Sequence, residues 1–427
     1  MSITFWVTLS LLLYPFITHA QDPKATITWI VKVPAGTPNQ AKVYLAGNQD
    51  LFGPWKPNQF QLQKQNDGHY RCEATFPVGT DIEYKFTRGS WASVEKSETG
   101  AEIQNRRLRV EKDVELSIEI ASWAIPAKEQ DSTATGDLRW KDFDSKLLEG
   151  KRRVTVWLPP NYKSHNRQHS KSSNTPIDRS ASTPSEAITT ERYPVVYFLD
   201  GQNMFDASRA AFGTEWKADE TAKALANRNP PLRLILVAID NSQERMSEYT
   251  PVQDKVGDSV VGGQAEKYLT FITQEIKPWI DSEFATDPRP ESTAIAGSSL
   301  GGLFALFAAF QKPDVFGRAI SMSPSLFWGK EAMLEDCKRS VQNTWNSPKQ
   351  RLWIDMGTEE GNTPEAKERN VTLTKTYVKL LEVRYSERFE IGTTIAEGAR
   401  HHESAWADRL PQALRFIFDE KTSSLPR

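Results

Sequence analysis

The five residues Gly297-Ser298-Ser299-Leu300-Gly301 read G-x-S-x-G. A small-residue run, Ser292-Thr-Ala-Ile-Ala296, precedes them and predicts a short buried strand. Gly302-Leu-Phe-Ala-Leu-Phe-Ala-Ala-Phe310 follows and predicts a buried helix. Strand, tight glycine turn and helix are the context in which this motif does chemistry. The turn forces its middle serine into a strained backbone and lifts Ser299 Oγ above the sheet edge. The N–H of Leu300 then lies at a helix N-terminus, where it can receive a developing oxyanion.

A serine nucleophile needs a base, and histidine is the usual one. Of six histidines, His19 lies in an apolar N-terminal segment, His69 in a β-rich region, and His165 and His169 in a polar low-complexity stretch. His401 and His402 remain, in Glu397-Gly-Ala-Arg-His-His-Glu-Ser404. They fall between a strand-like run, Arg388–Ile395, and an amphipathic helix, Ser404–Phe418. The acid that orients the base is expected between serine and histidine in the chain. Leu352 to Met356 read as a strand and Gly357 to Gly361 as the loop after it, so Glu359 and Glu360 both reach the edge that carries Ser299. Position alone does not separate them, and Asp355 within the strand reads as structural. A second oxyanion donor is expected after an early strand. Val195 to Leu199 form a continuous apolar strand, Asp200-Gly201-Gln202-Asn203 turns at the same edge, and the N–H of Gln202 is the candidate.

The rest of the chain bounds what these residues serve. A length of 427 residues predicts two domains, and a formal charge of −2 gives no reason to expect nucleic acid or an anionic membrane as partner. No P-loop, CxxC or His/Cys cluster occurs, so no cofactor or metal is implied. Residues 1–20 carry an apolar run from Ile3 to Phe16 and end in Thr18-His-Ala20, which reads as a signal peptide and predicts a secreted or periplasmic protein. The two cysteines, Cys72 and Cys337, fall in separate domains and are expected to be free thiols. Residues 22–122 lack helical periodicity. Short strands at Ala25–Val33, Gln40–Ala46, His69–Phe76, Asp81–Thr87, Arg106–Val110 and Val114–Ile120 predict a small immunoglobulin-like β-sandwich. Residues 123–136 read as a linker, and 137–420 as the catalytic domain. The polar stretch 163–192 is expected to be a surface insertion with nothing to bury.

The stretch from Gly150 to Asp419 resembles the esterase family of α/β hydrolases that includes esterase D, feruloyl esterases and enterochelin-type siderophore esterases. Val154–Tyr162, Asp200-Gly-Gln-Asn-Met-Phe-Asp206, Arg245-Met-Ser-Glu-Tyr-Thr-Pro251, Ala296–Gly302, Gly357-Thr-Glu-Glu-Gly361 and Gly398–Trp406 carry the resemblance, in the family's order. It implies an α/β-hydrolase fold with a mostly parallel sheet and a serine esterase. It places the acid on Glu360, because the family carboxylate follows Gly-Thr-x. It places the base on His401, with His402 standing where asparagine is common. It also brings Arg245, Tyr249 and Trp216 to the substrate pocket, although Trp216 reads equally as a packing residue.

The N-terminal region resembles starch-binding modules. Val43–Asn48, Leu51-Phe-Gly-Pro-Trp55, Glu83–Trp91 and Asn105-Arg106 carry that resemblance. It implies sugar stacking on Trp55 and Trp91, with Lys85 nearby for hydroxyl contacts. Val94-Glu95 and an insertion stand where the family commonly has a Trp-Glu pair, which puts half of that platform in doubt. The alternative is a sandwich that only shapes the catalytic cleft. The implied substrate is an ester, on a polysaccharide, a siderophore or a small molecule. Two rival functions belong to other classes: a non-catalytic glucan-binding protein whose hydrolase domain has decayed, and an acyltransferase that uses the same residues.

Overall fold

A computed structural model describes residues 23–100, 103–124, 132–164, 191–256, 259–330, 332, 348–361 and 363–419. The signal-peptide reading of 1–20, most of the 163–192 stretch, linker residues 125–131 and Cys337 lie outside the described residues. No helix among the described residues is long and apolar enough to cross a membrane.

Alternation builds the first domain. In β4 (Tyr70–Pro77) every second side chain is buried and the others face water. It belongs to a seven-stranded sheet with β1 (Lys24–Lys32), β2 (Val43–Gly47), β3 (Phe60–Lys64), β5 (Asp81–Thr87), β7 (Arg106–Arg109) and β8 (Val114–Glu119). The order is β7-β5-β2-β3-β4-β1-β8. The short strands β6 (Glu95–Lys96) and β9 (Ser122–Trp123) pair with each other. The sheet encloses Ile27, Trp29, Val31, Val43, Leu45, Phe76, Tyr84 and Phe86, and the Trp29 ring meets Phe52, Phe76 and Tyr84 edge-on. The run Phe-Gln-Leu-Gln-Lys of β3 alternates but offers the core only half-buried Phe60 and buried Leu62, a shorter signal than its neighbours give. Cys72 faces this core as a free thiol, and burial pushes it up to about 12.

The second domain is an eight-stranded sheet in the order β10-β11-β13-β12-β16-β17-β18-β19. Its strands are β10 (Asp137–Asp144), β11 (Lys151–Leu158), β12 (Val195–Phe198), β13 (Ile235–Ile239), β16 (Thr293–Ser298), β17 (Arg318–Met322), β18 (Gln350–Glu359) and β19 (Phe389–Arg400). A hairpin of β14 (Gln253–Val256) and β15 (Ser259–Gly262) stands apart from it. The first two pairings are antiparallel and the rest parallel. Parallel strands are covered on both faces, which is why β12 and β13 are apolar throughout.

On one face, Val195 and Tyr197 pack with α5 (Leu300–Gln311) and with α3 (Ala265–Phe271), which continues through a π-turn into α4 (Lys277–Glu283). On the other, Val196 and Phe198 pack with α1 (Ala218–Ala226) and with the last helix, α7 (Glu403–Phe418). Between these lie the single turn α2 (Arg245–Glu248) and the long α6 (Pro364–Arg384). The parallel strands all finish at one edge. Asp200, Ser299, Ser323, Glu360 and His401 therefore follow β12, β16, β17, β18 and β19 at the same end of the sheet.

The sandwich touches this domain near that edge. Lys96 Nζ donates to the Phe212 carbonyl at 2.7 Å, the Trp91 ring lies 6.3 Å from the Phe212 ring, and Asp50 accepts from the Ser259 hydroxyl.

Candidate active site

Ser299 sits at φ 58° and ψ −123°, a conformation that a residue with a side chain rarely adopts. The turn needs glycine at Gly297, where a Cβ would meet the Gly301 carbonyl carbon at 2.7 Å. It does not need glycine for space at Gly301, whose Cβ would find its nearest neighbour at 3.4 Å. The Ser299 N–H donates to Met322 at 3.0 Å, and its carbonyl accepts from Leu303 and Ser325. The hydroxyl lies 3.4 Å from Ser325 Oγ. The N–H of Leu300, the first residue of α5, has no acceptor within the helix.

Strand β18 runs three residues further than expected, to Glu359. Its end throws Glu359 outward, where it pairs with Lys367, and turns Glu360 into the protein at 1% exposure. Glu360 Oε1 accepts from the Gly357 N–H at 2.7 Å and the Ser323 hydroxyl at 2.6 Å, and Oε2 meets His401 Nδ1 at 2.8 Å. Burial alone pushes this carboxyl up, but the His401 ring, the Ser323 hydroxyl and the Arg409 guanidinium together hold it below the usual glutamate range. A carboxylate on Nδ1 leaves Nε2 of His401 as the nitrogen that can take a proton from a serine. The ring also meets Trp406 edge-on at 4.9 Å.

His402 has a different task. Its Nδ1 accepts from the Ser404 N–H at 3.2 Å and so caps α7. His402→Ala is therefore expected to lower stability by about 1 kcal/mol in urea unfolding, as loss of an N-cap does. His401→Ala is expected instead to abolish turnover.

Behind Glu360 lies a buried network that motif reading missed. Ser323 Oγ accepts from Trp406 Nε1 at 2.9 Å and from Arg409 Nη2 at 3.0 Å while donating to Glu360. Arg409 also faces Asp355 at 3.2 Å. The only sequence signal was the position of Ser323, just past a strand at the same sheet edge.

Gln202 is held in the turn after β12, and lines the same cavity as Ser299. A Cβ on Gly201 would meet Ala238 and Ile239 backbone atoms at 2.5 Å, so only glycine lets this turn approach β13. Asp200 anchors the turn in the left-handed region at φ 55°. Its carboxylate takes two bonds from Arg245, at 2.6 and 2.7 Å, and one from Asn241 at 2.6 Å. Arg245 thus reaches the cavity as a clamp on this turn.

A cavity of about 1040 Å³ gathers Ser299, His401, Gln202 and Arg245. Two expected pocket residues are not in its wall. Trp216, at 1% exposure, packs behind the site on Trp406 with ring centroids 5.6 Å apart. Tyr249 is fully buried, and its hydroxyl oxygen accepts the N–H of Asp200 at 3.1 Å. Both support the site from beneath, because the large apolar rings fill the space between strand ends and helices. Trp55 and Trp91 are half-buried and adjacent, at 6.3 Å between rings, and Trp91 and Lys85 line the catalytic cavity itself.

An elbow serine, a carboxylate-bound histidine and a parallel sheet that carries both at one edge define an α/β hydrolase equipped for acyl chemistry. Residues 170–417 match the Putative esterase family, and residues 25–119 match the Starch binding domain family. The first match spans more than half of the chain. The chain belongs to the esterase family and is a carboxylic ester hydrolase with an N-terminal starch-binding-type domain.

Among similar proteins, the uncharacterized protein YbbA of Bacillus subtilis is 27% identical over 285 residues, 65% of this chain and 96% of that one. Ferri-bacillibactin esterase BesA of the same organism is 29% identical over 175 residues, covering 38% of this chain and 58% of its own. An alpha-amylase of Niallia circulans is 41% identical over 88 residues, which is 20% of this chain and 7% of the amylase. The crystal structure of BES protein from Bacillus cereus aligns with a TM-score of 0.51 at 23% identity, over 68% of this chain and 97% of that chain. An IroE-like serine hydrolase from Shewanella oneidensis aligns at 0.52 and 21%, over 66% and 80%. At these identities the structural likeness speaks to the fold.

Proposed function

We propose that the chain hydrolyses carboxylic esters through an acyl-enzyme on Ser299. His401 takes the serine proton as Oγ attacks the ester carbonyl, and the Leu300 and Gln202 N–H groups receive the oxyanion. The proton passes to the leaving alcohol, and water then attacks the acyl-enzyme by the same path. Glu360 holds the imidazole in the tautomer with its proton on Nδ1 and stabilises its cation. The observation that carries this reading is the 2.8 Å bond from buried Glu360 to His401, whose side chain lines the cavity that also holds the strained Ser299.

The test is product analysis with p-nitrophenyl acetate in the presence of maltose. Free acetate is the expected product, and acetylated maltose would assign the chain to acyl transfer instead. We also propose export, supported by the apolar composition of residues 1–20. Intact mass of protein recovered outside the cytoplasm is expected to correspond to a chain that begins at Gln21. Full-length protein in the cytoplasmic fraction would contradict it.

A further inference from the structure

The cavity that holds Ser299 is not walled by the catalytic domain alone. Lys85, Trp91 and Asn105 of the sandwich line it together with Phe212 of the catalytic domain. The aromatic rings form a row that crosses the domain boundary: Trp55 to Trp91 at 6.3 Å, then Trp91 to Phe212 at 6.3 Å. Phe212 is fixed in that row. Lys96 donates to its carbonyl, and the ammonium groups of Lys85 and Lys96 lie 5.9 and 6.0 Å from its ring centre. Glu95 pins the start of β7 through Arg106 at 2.8 Å, and Asn105 bonds Glu83 at 3.2 Å, so the polar edge beside Trp91 is also held. The volume lies at the upper end of ordinary ligand pockets, with room for more than a small ester.

Charge narrows what fits. The cavity is lined by five carboxylates (Asp200, Glu359, Glu397, Glu403, Asp408) and four Lys or Arg side chains (Lys85, Arg245, Arg400, Arg409). Two of those cations are already bound, Arg245 to Asp200 and Arg409 to Asp355. A polyanionic ester would face more carboxylates than cations in this lining, whereas aromatic rings flanked by mixed polar groups suit a neutral, polyhydroxylated alcohol.

We propose that the sandwich is the alcohol-side half of the catalytic cleft, and that the substrate is an acylated α-glucan. Its glycosyl units lie along Trp91 and Phe212 while an ester on one of its hydroxyls reaches Ser299. This rests on the ester-hydrolase reading of Ser299. In the step itself, Ser299 Oγ bonds to the acyl carbon and the bond from that carbon to the glucan oxygen breaks. The serine proton travels through His401 to the glucan oxygen, and water then releases the carboxylic acid. The domain so placed selects the substrate, rather than only mooring the enzyme to a polymer.

The test compares two esters on the full-length protein, acetylated maltotriose and p-nitrophenyl acetate. Wild type is expected to hydrolyse both. Trp91→Ala and Phe212→Ala are each expected to raise KM for acetylated maltotriose roughly tenfold more than KM for p-nitrophenyl acetate, as loss of one stacking face would. Trp91→Tyr is expected to restore most of the difference. Unmodified maltotriose is expected to compete with the acetylated sugar in wild type and to lose that effect in Trp91→Ala. The proposal is overturned if wild type ignores acetylated maltotriose while cleaving p-nitrophenyl acetate. It is equally overturned if Trp91→Ala weakens retention on starch but leaves the KM ratio unchanged, since the domain would then be a mooring alone. Failure of wild type on both esters would strike the Ser299 reading itself, so the two failures are distinguishable.

Discussion

Ser299→Ala is expected to lower kcat toward p-nitrophenyl acetate by roughly 10⁶-fold, the scale on which loss of a serine nucleophile acts when its base has nothing left to activate. Stability should barely change. The strained backbone at φ 58° exists with either residue, because alanine keeps the Cβ. The deleted hydroxyl gives up only a 3.4 Å contact with Ser325. Urea unfolding read by tryptophan fluorescence separates these two effects. A variant that unfolds normally yet keeps wild-type turnover would show that the elbow is not where the chemistry happens.

The second large effect belongs to Glu360. Glu360→Gln keeps the size and the acceptor oxygen of the side chain, but removes the charge that fixes the His401 tautomer. A fall in kcat of about 10⁴-fold is expected, as for an amide in place of a triad acid. Glu359→Gln breaks only an exposed pair with Lys367, worth roughly 0–1 kcal/mol, and should leave turnover near wild type. The reverse ranking would contradict the assignment. The pH dependence of stability gives an independent sign. The Glu360 carboxyl is held below the usual glutamate range, so its contribution is fully present above that range and lost as pH falls through the lowered value. The stability gap between wild type and Glu360→Gln should therefore narrow on acidification. A gap that widens would mean that the carboxyl is buried neutral.

The parts of this site that were legible in the sequence are those written in local chemistry. The elbow carries its own glycine, strand and helix signals, and His401 falls in a loop between two strongly patterned elements. Glu359 and Glu360 are indistinguishable locally. Which one turns inward depends on where β18 stops, and that is decided by its pairing with β19, where the register shifts between Gly357 and Glu359. Ser323, Asp355 and Arg409 are ordinary residues whose roles exist only once β17, β18 and α7 are packed together. Trp216 and Tyr249 were legible as important aromatics, but whether they line the pocket or pack beneath it was not, because a ring beneath a site and a ring lining it have the same sequence signature. The place of Trp91 was least legible. It lines the cavity that holds Ser299 because of contacts between residues far apart in the chain, Lys96 with Phe212 and Asp50 with Ser259. No pattern within the sandwich encodes that approach.

The central claim is that Ser299 is the activated nucleophile, and covalent capture tests it most directly. The native protein is treated with a fluorophosphonate, digested, and mapped by mass spectrometry. One label on Ser299 is predicted, absent from Ser299→Ala and strongly slowed in His401→Ala, because an unactivated serine reacts poorly with such probes. A protein that hydrolyses p-nitrophenyl acetate while Ser299 stays unlabelled, or that takes the label on another residue, would contradict the account.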